Sequence, residues 1–156
     1  MSSPRETNPG LERLAMKIER ASHVTADLVS DVVANGCVRI SSLRNDSPAI
    51  ASLSRLVGGG DWVAAALLLV ELELPLWRLR RLLLDDGRWL CTLSRQPELP
   101  LGLDQVAEAT HPVLSLAILG ALIEARRSPD ILDDHVSSGT AQIGVGEQAV
   151  CPDNFA

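Results

Sequence analysis

Apolar residues recur at steps of three and four along most of the chain, which is the spacing of one face of an α-helix. The first of these stripes runs over residues 11–33, between a start signal at Asn8-Pro9 and a stop signal at Asn35-Gly36. It predicts one long amphipathic helix that bends near Ser22-His23, where the stripe weakens. A helix of about 26 residues is long for a small domain, so it would span the domain or pair with a second copy of itself.

Four further helices follow from similar signals. Ser47-Pro48 starts one helix, Asp61 is suited to cap the next, and Thr110-His111-Pro112 precedes the last. The predicted helices cover residues 48–57, 62–72, 101–109 and 113–127. The helix over 62–72 is apolar on nearly all sides, which predicts that it is buried.

The last helix carries a ridge of small residues. Ala117, Ala121 and Ala125 recur at four-residue steps, and Gly120 lies beside them. Such a ridge lets the backbone of another element approach closely, and a second copy of the chain is one candidate for that element.

The pattern changes in residues 76–95, where Asp86-Gly87 separates two runs. These two residues tolerate the positive φ that both central positions of a type I′ turn require, so the segment predicts a β-hairpin. The turn sets the register of two faces. One face pairs Leu84 with Trp89, Leu82 with Cys91 and Arg80 with Leu93. The other face pairs Asp85 with Arg88, Leu83 with Leu90 and Arg81 with Thr92. We expect the first face to look into the core and the second to be half covered, by a helix or by another subunit.

The same segment has a second interpretation. Pro75 can start a helix and Gly87 can end it, with leucines at positions 76, 79, 82 and 83 as its apolar stripe. The segment has no β-branched residue before Thr92, which favours a helix on intrinsic propensity. The Asp-Gly turn and the alternation of Trp89, Cys91 and Leu93 favour the hairpin.

These elements predict an α+β fold that is mainly α, with four to five helices packed on one β-hairpin. Residues 37–41 alternate briefly and are a candidate third strand of an antiparallel sheet. A single globular domain is expected over residues 8–128. Residues 1–7 are polar and are expected to be disordered, and residues 129–156 are expected to form an acidic, largely disordered tail.

Charge and cysteine content narrow the class of protein. The chain has a formal net charge of −6, and residues 128–156 contribute five acidic and no basic side chains to it. An acidic chain argues against nonspecific nucleic-acid binding. The three cysteines lack a CxxC spacing, and the first residues have no apolar signal core, which predicts a soluble cytoplasmic protein with free thiols. The longest apolar run, residues 62–70, is too short to cross a membrane.

Few residues suggest catalysis. Glu108 and His111 have the Glu-x-x-His spacing that helical di-iron bundles use, but such a site needs a second pair and two more carboxylates, so they are weak metal candidates. Cys91 is a candidate nucleophile if His111 lies beside it, although its apolar neighbours predict a buried, inert thiol. No catalytic residue and no cofactor is therefore assigned.

A cluster of five arginines surrounds the hairpin, at positions 78, 80, 81, 88 and 95. Exposed arginines beside tryptophan are typical of surfaces that bind partner proteins. The candidate partner or ligand residues are Trp77, Arg78, Arg81, Arg88, Trp89 and His111. In the alternative interpretation the arginines pair with acidic residues at the ends of the hairpin, namely Asp85, Asp86, Glu71 and Glu73.

Three functional hypotheses follow. The first is a non-enzymatic protein-interaction module, an adaptor or dedicated chaperone, that forms a homodimer through the long first helix or the alanine ridge. The second is a small-molecule-binding regulator with an apolar pocket between the hairpin and the helices. The third is an enzyme that uses Cys91, Glu108 or His111.

Overall fold

Six helices and three strands make up the part of the chain that the structure, a computed structural model, describes: residues 8–44, 46–100 and 102–128. The helices are α1 (Pro9–Arg20), α2 (Ala26–Gly36), α3 (Val38–Ser41), α4 (Pro48–Gly58), α5 (Trp62–Glu73) and α6 (Leu114–Arg127), and the strands are β1 (Arg78–Asp85), β2 (Arg88–Ser94) and β3 (Val106–His111). The strands form one antiparallel sheet in the order β1-β2-β3. The expected α+β, mainly α fold is confirmed. Segments 1–7 and 129–156, for which the sequence predicts disorder, lie outside the described residues.

The predicted long first helix is wrong. Its apolar stripe is divided between α1 and α2, with a break from Ala21 to Thr25. Thr25 explains the break, because its side chain accepts a hydrogen bond from the Leu28 N–H at 3.1 Å and so starts a new helix. The two shorter helices pack against each other and bury the stripe. The stripe therefore offers no surface to a second copy of the chain.

The third strand comes from a different segment than predicted. Residues 38–41 form the short helix α3, and the segment predicted as a helix over 101–109 instead contributes most of β3. Strand β3 alternates in burial, since Ala107 and His111 are buried whereas Glu108 and Thr110 are exposed. This period of two is visible in the sequence Val-Ala-Glu-Ala-Thr-His. Such a short pattern does not by itself distinguish a strand from a helix, and the pairing with β2 makes the segment a strand.

Helix α6 is the centre of the fold. It packs on β2 and β3 with one side and on α1 and α5 with others, and nine of its residues are buried. The predicted close approach occurs at Gly120, where an added Cβ would lie 2.9 Å from the Cβ of Ala109. Ala117, Ala121 and Ala125 are all buried inside the chain. The alanine ridge is thus an internal contact and cannot be the surface of a dimer.

We expect Gly120→Ala to destabilise the protein by about 1 kcal/mol. Overpacking of a tight contact costs about 1–3 kcal/mol, and the better helix propensity of alanine returns about 1 kcal/mol at most. The double variant Gly120→Ala with Ala109→Gly moves the methyl group across the contact, and we expect it to relieve the overpacking. Urea denaturation of the four proteins of this cycle measures the coupling. A single variant that is more stable than the native protein would show that the contact is loose.

Candidate interaction surface

The hairpin β1–β2 has the predicted turn. Asp86 and Gly87 both have positive φ, at 52° and 77°, as a type I′ turn requires. The predicted pairs that flank the turn are confirmed: Asp85 with Arg88, Leu84 with Trp89, Leu83 with Leu90, Leu82 with Cys91 and Arg81 with Thr92. The helical interpretation of residues 76–86 is therefore excluded.

The register departs from the prediction at Arg80. A β-bulge between Leu79 and Arg81 places Leu79, rather than Arg80, opposite Leu93. The extra residue lets Leu79 share the face of Leu82 and Leu84, and it frees Arg80 from the regular alternation. Sequence periodicity alone cannot place such a bulge, because it depends on the partner that Arg80 finds.

That partner is Asp104, in the connection between β2 and β3. The Asp104 carboxylate accepts hydrogen bonds from the Arg80 guanidinium, from the Ser94 hydroxyl and, at 2.8 Å, from the Gln96 N–H. Arg80 also donates to the Leu99 carbonyl at 3.2 Å. Desolvation alone would raise the pKa of Asp104, but these hydrogen bonds and the charge of Arg80 outweigh it and hold the pKa below its ordinary value.

Strand β1 exposes its leucines on both faces of the sheet. Leu79, Leu82 and Leu84 lie on the face that α6 covers over β2 and β3, yet they are 43%, 38% and 54% exposed, because α6 does not extend over β1. Leu83, on the opposite face, is 46% exposed. The expectation that the first face is entirely core is therefore wrong for β1. We call the strand with these four leucines the leucine edge.

The candidate binding residues lie in three different environments. Trp77 is buried and Trp89 is half-buried, so both contribute to the core, whereas Arg78 and Arg81 are exposed. Arg88 is also exposed and donates to the Thr110 carbonyl at 3.3 Å. Among the described residues no acidic side chain lies within ion-pair distance of the guanidinium groups of Arg78 or Arg81. The suggested pairing of the arginine cluster with acids at the ends of the hairpin is thus wrong for these two residues.

The weak metal candidates are separated by the strand. Glu108 and His111 are three positions apart on β3, so they point to opposite faces of the sheet. Glu108 is exposed, whereas His111 is buried and accepts a hydrogen bond from the Val113 N–H at 2.9 Å. The described ranges contain no group of three or more His, Cys, Asp or Glu side chains arranged to hold a metal ion.

The two cysteines in the described ranges are buried. Burial raises the pKa of Cys91 to about 11. Burial, together with the nearby charge of Glu73, raises the pKa of Cys37 to about 12 although Arg126 opposes the shift. A thiol with such a pKa is almost wholly protonated at neutral pH and is a poor nucleophile.

A groove of about 390 Å³ lies between α1, β3 and α6. Its lining includes the buried His111 and six charged residues: Glu12, Glu19, Arg88, Glu108, Glu124 and Arg127. Arg127 pairs with Glu124 at 2.7 Å and with Glu12 at 3.7 Å. The sequence predicts an apolar pocket between the hairpin and the helices. This groove instead has a largely charged lining and lies between α1, β3 and α6, but it is large enough for a small molecule.

A second polar cluster joins the ends of four helices. Glu73, the last residue of α5, is 2% exposed and accepts hydrogen bonds from the Arg39 and Ile40 N–H groups at 2.9 and 3.2 Å. Arg126 of α6 lies 3.5 Å from the other carboxylate oxygen and donates to the Gly36 carbonyl at 3.1 Å. The alternative interpretation of the sequence paired Glu73 with the hairpin arginines, and nothing in the apolar run of α5 distinguishes Glu73 from the exposed Glu71.

None of the helices in the described ranges is long and apolar enough to cross a membrane. Comparisons of the chain with protein-family models, with curated proteins and with solved structures found no match.

Proposed function

We propose that the protein is a non-enzymatic protein-interaction module, an adaptor or dedicated chaperone, that contacts another polypeptide through the hairpin β1–β2. The observation that carries this proposal is the leucine edge. A strand at the edge of a sheet presents unpaired N–H and C=O groups, and proteins usually protect such edges with charges, proline or a covering element. Here the edge carries three consecutive exposed leucines, Leu82, Leu83 and Leu84.

Pairing with another chain would use both features of this edge. The backbone of an added strand would satisfy the unpaired groups of β1, and its side chains would cover the leucines on the two faces. Arg78 and Arg81 precede the three consecutive leucines and would add polar contacts at the rim of such an interface, as is common in protein interfaces. The Cys91 thiol and the His111 ring, which an enzyme would need accessible, are both buried.

In vivo photo-cross-linking tests the proposal. A benzophenone amino acid replaces Leu84, in the leucine edge, and in a matched control it replaces Leu103, which is 70% exposed but lies outside the hairpin. We expect one discrete polypeptide adduct from position 84, lost when Leu82→Lys is added, and none from position 103. An absence of adducts from positions 79, 83, 84 and 90 alike would overturn the proposal.

The groove between α1, β3 and α6 supports a second candidate, a small-molecule-binding regulator. Its charged lining, with four glutamates and two arginines, suits a polar ligand of mixed charge rather than an apolar one. Native mass spectrometry separates the two functions. A small extra mass that is lost on unfolding, and is absent from a Glu108→Ala/Arg88→Ala variant, would support the ligand-binding function.

A further inference from the structure

We infer that the leucine edge binds a second copy of this chain. In this arrangement the two β1 strands pair antiparallel about a twofold axis at Leu83, and the two three-stranded sheets join into one sheet of six strands. The inference rests on the proposed function, because it names the occupant of the same surface. The leucine edge thus takes the place of the apolar stripe of the first helix and of the alanine ridge, both buried within the chain, as the proposed dimer contact.

Within residues 8–44, 46–100 and 102–128, no helix or strand other than β2 packs substantially against β1, so its outer edge has no neighbouring element in this part of the chain. At the other end of the sheet, residues of β3 and of α1 line the same groove. Strand β1 contains no proline or glycine that would block pairing, and it is straight from Arg81 to Asp85, with its bulge confined to the end near Arg80. Five consecutive residues are therefore available to a partner strand.

The hairpin determines which backbone groups face outward. In a two-residue hairpin the residues that flank the turn, Asp85 and Arg88, form a hydrogen-bonded pair. Asp85, Leu83 and Arg81 therefore direct their N–H and C=O groups to β2. Leu82 and Leu84 direct theirs to the free edge. A second strand must form its hydrogen bonds with these two leucines.

An antiparallel pair about a twofold axis must match outward-facing residues with outward-facing residues. Three registers satisfy this condition within the straight part of β1, with the axis at Leu82, Leu83 or Leu84. With the axis at Leu83, Leu82 lies opposite the partner's Leu84 and each leucine finds a leucine. Four intermolecular hydrogen bonds form, two from each chain.

Charge selects among the three registers. With the axis at Leu83, Arg81 of each chain lies opposite Asp85 of the partner subunit, so two ion pairs flank the central leucines. With the axis at Leu82, Asp85 would face the partner's Leu79, and with the axis at Leu84 it would face the partner's Leu83. A parallel arrangement in register would place like charges together, which is unfavourable for directly opposed residues. The order of β1, with arginines first and aspartate last, is thus complementary to itself.

Charge exchange tests the inference. In Arg81→Asp, aspartate faces Asp85 of the partner subunit at two positions, and in Asp85→Arg, arginine faces the partner's Arg81 at two positions. We expect the native protein to sediment as a dimer with a dissociation constant on the order of micromolar, as suits a contact of one strand per chain. Each variant alone is expected to dimerise at least tenfold more weakly.

The two variants together supply the internal control. In a mixed dimer, the introduced aspartate faces the introduced arginine and the native aspartate faces the native arginine, so an equimolar mixture should regain native affinity. Asp85 also lies opposite Arg88 in its own hairpin, so circular dichroism must show that each variant is folded. A native protein that stays monomeric at about 100 micromolar, well above that range, would overturn the inference. So would two folded variants whose mixture does not associate.

A cysteine scan tests the register. On a Cys151→Ser background, Leu83→Cys places the new thiol on the axis, opposite its own copy in a non-hydrogen-bonded pair with Cα atoms about 4.5 Å apart, which a disulfide can bridge. We expect Leu83→Cys to form a disulfide-linked dimer in air at least tenfold faster than Leu82→Cys, which faces the partner's Leu84. Equal rates would overturn the register. A monomeric protein whose position 84 still cross-links to a different polypeptide would refute the dimer and leave the proposed function standing. A monomeric protein that forms no cross-linked adduct would refute both proposals.

Discussion

We expect Glu73→Ala to lower the free energy of unfolding by about 3 kcal/mol, because removal of one partner from a buried ion pair leaves the other charge and several polar groups without compensation. The Arg126 side chain is 31% exposed, so water relieves part of this cost and the value lies at the lower end of the range for buried pairs. Urea denaturation at neutral pH measures the change.

The loss of stability expected for Glu73→Ala has two separable parts. Cys37 occupies the N-cap position of α3 but has no capping hydrogen bond, so the Glu73 carboxylate supplies the acceptor for the Arg39 and Ile40 N–H groups from across the chain. The charge of Glu73 also compensates Arg126. Glu73→Gln keeps an acceptor oxygen and removes the charge, and we expect it to cost about half as much as Glu73→Ala.

The matched control changes Arg126, the other member of the ion pair. Arg126→Met leaves the Gly36 carbonyl without its donor and Glu73 without its cation, and the double variant Glu73→Gln/Arg126→Met removes both charges. We expect the double variant to be more stable than the sum of the single changes predicts, since neither charge is then left alone. Strict additivity would show that the contact at 3.5 Å contributes no coupling.

Local rules predicted the hairpin well. The φ values of Asp86 and Gly87 depend on two adjacent residues, and the pairs nearest the turn follow from its length alone. The predicted bounds of α4, α5 and α6 also differ from the observed ones by one residue at most. Of the predicted caps, only Ser47 of α4 makes a side-chain capping hydrogen bond; Asp61 makes none, and α6 has Val113 at its N-cap. The bounds of these elements follow from residues within or next to them, such as Pro48, the three glycines before Asp61 and Pro112, which a single sequence contains.

Predictions failed where distant residues decide the conformation. The bulge at Arg80 depends on Asp104, the strand β3 depends on pairing with β2, and the position of Glu73 depends on helix ends far apart in the chain. Exposure of the leucine edge is another such case. Alternation shows that Leu82 and Leu84 share a face with Cys91, but only the placement of α6 determines that Cys91 is covered and the two leucines are not.

This division explains why the candidate site was found only in part. The sequence located the hairpin and its arginines, because turn chemistry and charge are local. It assigned Leu82 and Leu84 to the core, because apolar side chains are buried in most positions. The leucine edge, which supports the proposed function, is therefore an exception to that rule. A contiguous apolar area that stays exposed on a protein surface is typical of a site that binds a partner.

The second large effect is expected at Asp104, whose truncation to alanine should lower the free energy of unfolding by about 2 kcal/mol. The carboxylate accepts hydrogen bonds from Arg80 of β1, Ser94 of β2 and the Gln96 N–H, so it ties the bulge to the connection between β2 and β3. Removal of an acceptor shared by charged and neutral donors leaves those donors without a partner. Urea denaturation of Asp104→Ala beside Ser94→Ala, which removes one donor only, measures how much of the effect belongs to the carboxylate.

The pH dependence distinguishes the charge of Asp104 from its shape. Its pKa in the folded protein lies below the ordinary value of 3.8, so the charged form contributes stability that is fully present above that value and is lost as pH falls through the folded pKa. Asp104→Asn lacks this contribution at every pH. The difference in free energy of unfolding between the native protein and Asp104→Asn should therefore be constant above about pH 5 and shrink toward about pH 2. A difference that stays constant over the whole range would mean that the fold stabilises the oxygen atoms of Asp104 and not its charge, and that the Arg80 guanidinium adds nothing beyond a neutral hydrogen bond.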